Sequence, residues 1–163
     1  MDAPAKGLLY LDDLAVGDVF VTGEYLLTEA ELIEFARRYD PQVFHVDSDR
    51  ARDSFFGGLA ASGWHVASIT MRLLVDGGMP IAGGLIGVET SLRWPRPTRP
   101  GDVLRVESTI AAIARSRSRP DRGIVTVKSR TLNQAGEAVQ TVETKILVFA
   151  RGAKLSSSGG SPS

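Results

Sequence analysis

The chain has 163 residues, of which 43% are hydrophobic and 23% are charged, enough for one globular domain with a buried core. Nineteen basic residues balance nineteen acidic ones, so no net charge attracts the chain to nucleic acid or to an anionic membrane. The lack of cysteine excludes disulfides, thiol catalysis and thiolate metal sites, and makes the cytoplasm the default location. No stretch has the length or apolar character of a signal peptide or membrane span.

The domain is predicted over residues 1–150 and a tail over residues 151–163. The tail consists mostly of small and polar residues and ends Ser-Ser-Ser-Gly-Gly-Ser-Pro-Ser. Such a segment buries too little apolar surface to offset the entropy of ordering. We therefore expect the tail to be disordered.

The first quarter of the chain predicts a strand followed by a capped helix. Residues 17–27 are rich in Val, Phe, Tyr and Thr, which favours a strand. Thr28 and Glu31 form a Thr-x-x-Glu capping box, and apolar residues follow at helical spacing until Asp40 and Pro41 end the helix. The helix therefore presents Asp40 at its C-terminal end.

A loop and a second helix come next. Residues 40–58 are irregular, with one helical turn predicted after Asp47 and a glycine-containing break near the end. The second helix is predicted over residues 62–76, and Gly77 and Gly78 end it. Because apolar residues cover nearly its whole circumference, we expect this helix to be buried on all sides.

The second half of the chain predicts an antiparallel sheet. Leu104, Val106 and Ile110 alternate with polar residues, as in a strand with one buried face. The connections between strands are too short for crossover helices. A sheet wrapped around the buried helix, an α+β fold, follows from this pattern. The four predicted strands are near residues 84–94, 102–115, 123–133 and 138–150.

Imidazole chemistry near neutral pH has only two candidates, His45 and His65. His45 lies five residues after Asp40, close enough for a turn to bring carboxylate and imidazole together as an acid/base pair. By spacing alone, a capping Asp40 and a half-buried loop His45 are the more common arrangement. The apolar neighbours Phe44 and Val46 shift the balance because they can desolvate the imidazole, and the pair would then titrate jointly.

The start of the second helix is the other candidate for chemistry. Gly63 there offers backbone N–H groups and the positive end of the helix dipole to an anion such as an enolate oxygen, and it also permits close packing. Ser62 is predicted to be the N-cap. His65, beside Trp64 on an apolar helix, is predicted to be packed and hydrogen-bonded rather than a ligand.

Other charged clusters have simpler interpretations. His45 with Asp47 and Asp49 is a weak metal-ligand set, so no metal site is predicted. The arginines between the prolines of residues 93–99 are typical of a rigid polar turn. Four arginines around Pro120 could bind the phosphates of coenzyme A, although such a run is more often a solvated hairpin tip. These are Arg115, Arg117, Arg119 and Arg122.

These motifs together resemble the MaoC-like dehydratases and (R)-specific enoyl-CoA hydratases, from about residue 11 to residue 150. The family's pattern is Asp-x-Asn-Pro-x-His-x-Asp, then a loop with Phe, then His-Gly at the start of the central helix. Residues 40–47 carry the first part, with Gln42 and Val43 in place of Asn-Pro. Phe56 carries the second, and Ser62 with Gly63 carries the third, with Ser in place of His.

The resemblance implies a hotdog fold in which Asp40 and His45 are catalytic and Gly63 provides the oxyanion hole. It also implies substrate contacts from Gln42, Phe56 and Ser62. The implied reaction adds water across the double bond of a trans-2-enoyl-CoA, with coenzyme A as part of the substrate and no separate cofactor. The implied assembly is a homodimer.

Two rival functions stay open at this point. A hotdog thioesterase would hydrolyse the same class of substrate, using a carboxylate on or near the central helix. No Asp or Glu occurs between Gly63 and Val75, which counts against that alternative. The other rival is an acyl-thioester-binding module without turnover.

Overall fold

A computed structural model describes residues 7–155 of the chain. Within this range the helices precede most of the sheet. The helices are α1 (Glu29–Tyr39), α2 (Val43–Val46), α3 (Ser48–Ala51) and α4 (Gly63–Leu73). The strands are β1 (Val19–Val21), β2 (Tyr25–Leu26), β3 (Ile86–Arg93), β4 (Val103–Arg115), β5 (Arg122–Leu132) and β6 (Ala138–Phe149).

The strands form one antiparallel sheet in the order β1-β4-β5-β6-β3, and β2 pairs with the other end of β4. The α+β prediction and its antiparallel sheet are confirmed. Leu104 and Val106 on β4 are fully buried in one cluster with Val66 and Ile69 of α4. The predicted alternation along β4 therefore buries the face that carries the central helix.

The single strand predicted over residues 17–27 is wrong, because the structure divides it into β1 and β2. The break lies at Thr22, whose side-chain Oγ1 accepts a hydrogen bond of 2.9 Å from the Val106 N–H. A side chain thus replaces a backbone acceptor of the ladder, and Gly23 follows it. The chain then leaves β4 and returns to it as β2.

The expectation that α4 is buried on all sides is also wrong. Its inner face is buried, but Trp64, Met71 and, just beyond the helix, Val75 are exposed. These residues follow one another on one side of the helix, so the sheet covers α4 from one direction only. The α-helix ends at Leu73, three residues before the predicted end, and a π-helical segment follows over Leu74–Gly78. Gly77 breaks this segment, with φ of 113°, a conformation that other residues rarely adopt.

The predicted caps of α1 and α3 are present, and the segment between α1 and α4 contains one short helix more than predicted. The capping box is confirmed, with the Glu31 N–H donating to Thr28 Oγ1 and Glu31 Oε2 accepting from the Thr28 N–H. Asp47 caps α3 as predicted, accepting from the N–H groups of Asp49 and Arg50. The short helix α2, which comes before Asp47, was not predicted.

Residues from the two ends of the domain contact each other. Arg151, the first residue of the predicted tail, donates from its backbone N–H to Asp12 and from its guanidinium to Asp13. Arg115 also pairs with Asp12, at 2.8 Å. Residues 156–163 of the predicted tail lie outside the described residues.

The described helices include none that is long and apolar enough to cross a membrane. The cytoplasmic location stays a prediction.

Candidate active site

Asp40 and His45 lie together in the structure. Asp40 is the C-cap of α1 and His45 lies on α2, and the turn between them begins with a hydrogen bond from the Gln42 N–H to the Asp40 carbonyl. The Asp40 Oδ2 atom is 3.3 Å from His45 Nε2. Only 6% of the His45 side chain and 18% of the Asp40 side chain are exposed, so the pair is largely shielded from bulk water.

The tautomer of His45 follows from its other ring nitrogen. Nδ1 lies 2.6 Å from the carbonyl oxygen of Ala60, and because a carbonyl only accepts, Nδ1 must carry a proton. In the neutral ring, Nε2 is therefore the unprotonated nitrogen, and its lone pair faces the Asp40 carboxylate. A mobile proton between these two acceptors satisfies both, which is the arrangement required for joint acid/base chemistry.

Hydrogen bonds keep Asp40 ionised. Burial raises the pKa of its carboxyl group, but the hydrogen bonds from Gln42 and Ser62 and the charge of His45 outweigh burial and lower that pKa below its ordinary value. Gln42 Nε2 donates to Oδ1 and Ser62 Oγ donates to Oδ2, each at 2.7 Å. At neutral pH the group beside His45 is thus a carboxylate.

The Ser62 side chain does not cap α4 as predicted. It is fully buried and donates to Asp40, and no side-chain hydrogen bond caps the helix. The first N–H groups of α4, those of Gly63 and Trp64, consequently have no acceptor in the part of the chain that the structure describes. These donors stand at the positive end of the helix dipole, where an anion is stabilised.

The Asp40 and His45 pair and the N-terminus of α4 face one cleft of about 760 Å³. Asp40, His45 and Gly63 all line it, as do the predicted contact residues Gln42 and Phe56. The Phe56 ring lies 6.2 Å from the imidazole of His45 and 5.0 Å from the ring of Phe44. Five of the six sequence-predicted site residues thus share this cleft, and Ser62 lies behind Asp40.

Trp94 is a cleft residue that sequence analysis missed. A Cβ atom on Gly63 would lie 2.6 to 2.9 Å from three atoms of the Trp94 indole, so the ring packs directly over the glycine. The signal in the sequence was an aromatic residue before the Pro95-Arg96-Pro97 turn, which we interpreted only as a polar connection. Close packing at Gly63, one of the two expected roles of this glycine, is therefore present.

Arg99 holds the loop that carries Phe56. Its guanidinium donates to the carbonyl oxygens of Phe56, Gly58 and Leu59 at 2.5 to 3.1 Å. This arginine is structural, in agreement with the turn predicted for residues 93–99. Among residues 7–155 no three His, Asp or Glu side chains are grouped so as to hold a metal ion.

His65 lies outside the cleft, as expected for a packed side chain, but it is not hydrogen-bonded through Nδ1. The ring is buried and stacks on Phe35 with centroids 4.4 Å apart, and its Nδ1 atom has no partner among residues 7–155. Burial lowers the pKa of His65 below the ordinary value of 6.5, and Glu31 opposes this only in part. The folded protein therefore disfavours the imidazolium.

This burial predicts acid sensitivity. Below about pH 6.5 the unfolded chain binds a proton at His65 that the folded protein binds only at lower pH, so the free energy of unfolding falls as the pH falls. His65→Phe, which keeps an aromatic ring on Phe35, should vary less in urea-unfolding free energy between about pH 7 and about pH 5 than the parent protein. Asp40, with a lowered pKa, contributes only below this window. Parallel pH profiles for the two proteins would contradict the prediction.

Comparison with known proteins gives a family for this arrangement. A model of the MaoC like domain matches residues 14–134 of the chain. The chain belongs to the MaoC-like domain family.

Solved structures agree with this membership, and a curated relative of unknown activity matches most of the chain. A MaoC-like dehydratase from Rhodospirillum rubrum is 57% identical, with a TM-score of 0.87 over 89% of this chain and 99% of that one. The R-hydratase PhaJ1 from Pseudomonas aeruginosa is 25% identical, with a TM-score of 0.69 over 87% and 86% of the two chains. The uncharacterized protein YdeM of Bacillus subtilis is 29% identical over 85% of this chain and 97% of its own length.

The MaoC-like family membership confirms the predicted hotdog fold. It also supports, at the level of the family, a hydro-lyase, since the named relatives with an activity are dehydratases and hydratases.

Proposed function

We propose that this MaoC-like protein is an enoyl-thioester hydratase that adds water reversibly across the double bond of a trans-2-enoyl-CoA. The observation that carries the proposal is the contact of 3.3 Å between Asp40 Oδ2 and His45 Nε2, in a cleft that Gly63 also lines. A cleft of this volume lies within the range of small-ligand sites. Asp40, Gln42 and His45 supply polar side chains to its lining.

The proposed reaction moves one proton at each step. The Asp40 and His45 pair takes a proton from water as the water oxygen bonds to C3 of the enoyl group, and the electron pair of the double bond shifts toward the thioester carbonyl. A proton then reaches the α-carbon from the same pair. His45 Nε2 suits both steps, because the Ala60 carbonyl holds the proton of the ring on Nδ1.

The negative charge that develops on the thioester oxygen needs donors that are already in place. The N–H groups of Gly63 and Trp64 are unpaired within the described residues and belong to an 11-residue helix. We assign the oxyanion hole to this helix terminus. Donors of this type stabilise the transition state more than the ground state, and removal of one typically costs about 10²- to 10³-fold in rate.

The test is an assay with crotonyl-CoA that follows two signals. Hydration removes the enoyl absorbance without releasing thiol, and this is the expected result. Thiol release, measured with a chromogenic disulfide, would instead identify a thioesterase. Binding without change in either signal would identify an acyl-binding module.

We further propose that the protein is a homodimer whose interface includes β3 and the exposed side of α4. Support comes from β3, an edge strand exposed along almost its whole length, and from the exposed apolar side chains of Met71 on α4 and of Val75 just beyond it. Met71 and Gly87 line one apolar cavity of about 180 Å³ between α4 and the sheet. Long edge strands and apolar patches of this kind are usually covered.

A charged residue on the exposed side of α4 should separate the two subunits. Val75→Glu is expected to shift the mass measured by light scattering after size-exclusion chromatography from two chains to one, because the carboxylate would be buried against apolar surface. Val16→Glu is the matched control, since both valines are 64% exposed but Val16 precedes β1, which lies at the opposite edge of the sheet from β3. A dimer that survives Val75→Glu, or a monomeric parent protein, would contradict the proposed interface.

A further inference from the structure

A buried polar chain connects Trp94 to the middle of α4. The Trp94 indole N–H donates to Gln140 Oε1 at 2.9 Å, and Gln140 Nε2 donates to Thr70 Oγ1 at 2.9 Å. Thr70 lies within 2.9 Å of the Val66 carbonyl and 2.7 Å of Thr131 Oγ1. Gln140 has no exposed surface, so water does not compete for these bonds.

The donor and acceptor of each hydrogen bond from Trp94 to Thr70 follow from which atoms carry a proton. An indole nitrogen only donates and a carbonyl only accepts, so Gln140 must turn its oxygen to Trp94 and its amide nitrogen to Thr70. Thr70 then donates to Val66 and accepts from both Gln140 and Thr131. Each member is satisfied, and such a network holds one arrangement because any rotation leaves a buried polar group unpaired.

This series of hydrogen bonds ends at Trp94, in the wall of the cleft. The Trp94 indole packs against Gly63 so closely that a Cβ there would overlap it, and Trp94 and Gly63 line the same cleft. Trp94 is 43% exposed, and its ring packs against Gly63 and against the ring of Trp64, with centroids 5.5 Å apart. These apolar contacts do not specify where the indole N–H points. Gln140 supplies the tether from β6 that packing does not.

We infer that Gln140 is a positioning residue that, through the Trp94 indole, sets the space beside the Gly63 N–H where the thioester binds. Gln140 does not touch the cleft and acts only through Trp94. The inference rests on the proposed hydratase function for its kinetic readout, but the restraint of the indole can be measured without turnover.

The kinetic test is a double-mutant cycle. Gln140→Met keeps the volume of the side chain and removes the acceptor, and it should raise KM for crotonyl-CoA about tenfold while kcat changes less than about threefold. In a Trp94→Phe background, which has no indole N–H, the same substitution should change KM by less than about twofold. An equal rise in KM in both backgrounds would overturn the inference, because Gln140 would then act independently of Trp94.

A fluorescence test measures the restraint on the Trp94 indole without turnover. The chain has two tryptophans, so in Trp64→Phe the emission comes from Trp94 alone. Gln140→Met in that background should lower the emission anisotropy and increase quenching by acrylamide. Unchanged emission would overturn the inference even if the protein is an active hydratase. Increased quenching in a protein that does not hydrate enoyl-CoA would support the restraint of Trp94 by Gln140 and reject the proposed hydratase function.

Ser108→Ala is the matched control for loss of a buried hydrogen bond. The hydroxyls of Ser108 and Ser129 lie 2.7 Å apart, and both residues are buried in the sheet. This variant should lower the urea midpoint of unfolding by an amount similar to that of Gln140→Met, and leave KM and the emission of Trp94 unchanged. A matching rise in KM for Ser108→Ala would assign the effect of Gln140→Met to general loosening of the sheet and overturn the inference.

Discussion

Asp40→Asn and His45→Ala should each lower kcat/KM for hydration of crotonyl-CoA by about 10²- to 10⁴-fold, the range that a general acid/base contributes. Asn preserves the shape of Asp40 and can still accept from Ser62 or Gln42, but it has no negative charge to stabilise a protonated His45. Ala removes the nitrogen that faces the carboxylate. Because the proposed mechanism uses the two groups as one unit, with Asp40 Oδ2 and His45 Nε2 3.3 Å apart, the double variant should be little worse than either single variant.

The controls for this prediction come from the same segment. Asp49→Asn removes a carboxylate that is 84% exposed and pairs only with Arg52, and it should retain full activity. Circular dichroism of all variants should match the parent protein, since neither member of the pair belongs to the apolar core. Activity near the parent level in Asp40→Asn or His45→Ala would reject the acid/base pair.

Gly63→Ala should lower kcat/KM by about 10²-fold although it removes no polar group. The added methyl would lie 2.6 to 2.9 Å from the Trp94 ring, so either the indole or the start of α4 must move. A displacement near 1 Å of a positioned group is enough for a rate loss of this size. The N–H donor remains present but no longer points to the same place.

Two further variants test whether overlap with the Trp94 ring causes the loss of activity in Gly63→Ala. Gly58→Ala adds a methyl near the same cleft with its closest contact, Arg99 Nη1, at an ordinary 3.5 Å, and it should keep the parent kcat/KM. Combining Gly63→Ala with Trp94→Ala should recover part of the lost activity, because the overlap disappears. A Gly63→Ala variant with parent kinetics would show that the cleft does not need this close packing.

Local patterns explain what could be predicted about the site. The capping box joins Thr28 to Glu31, three residues apart, and the turn from Asp40 to His45 spans five. Contacts this short are set by backbone geometry and the identities of neighbouring residues, which can be recognised without a fold. The same holds for β4, since alternation along a strand reports its buried face.

Contacts between distant segments explain what could not be predicted. Ser62 looks like an N-cap from its neighbours, yet its hydroxyl bonds to Asp40, 22 residues earlier. Trp94 and Gln140 are 46 residues apart, and neither has a local pattern that indicates a role in the cleft. The apolar circumference of α4 likewise gave no sign of which side the sheet leaves exposed.

The sequence by itself determined the α+β fold and the capped helix that ends at Asp40, because these depend on periodicity and on short spacings. It also pointed to the candidate acid/base pair, through the apolar neighbours of His45 and the resemblance of the surrounding motif to a known family. Only the tertiary structure decided that Ser62 supports Asp40, that the Ala60 carbonyl selects the His45 tautomer, and that Trp94 covers Gly63. The physical reason is the same in each case: hydrogen bonds and close packing between segments far apart in the chain depend on how the sheet brings those segments together, and no local pattern records it.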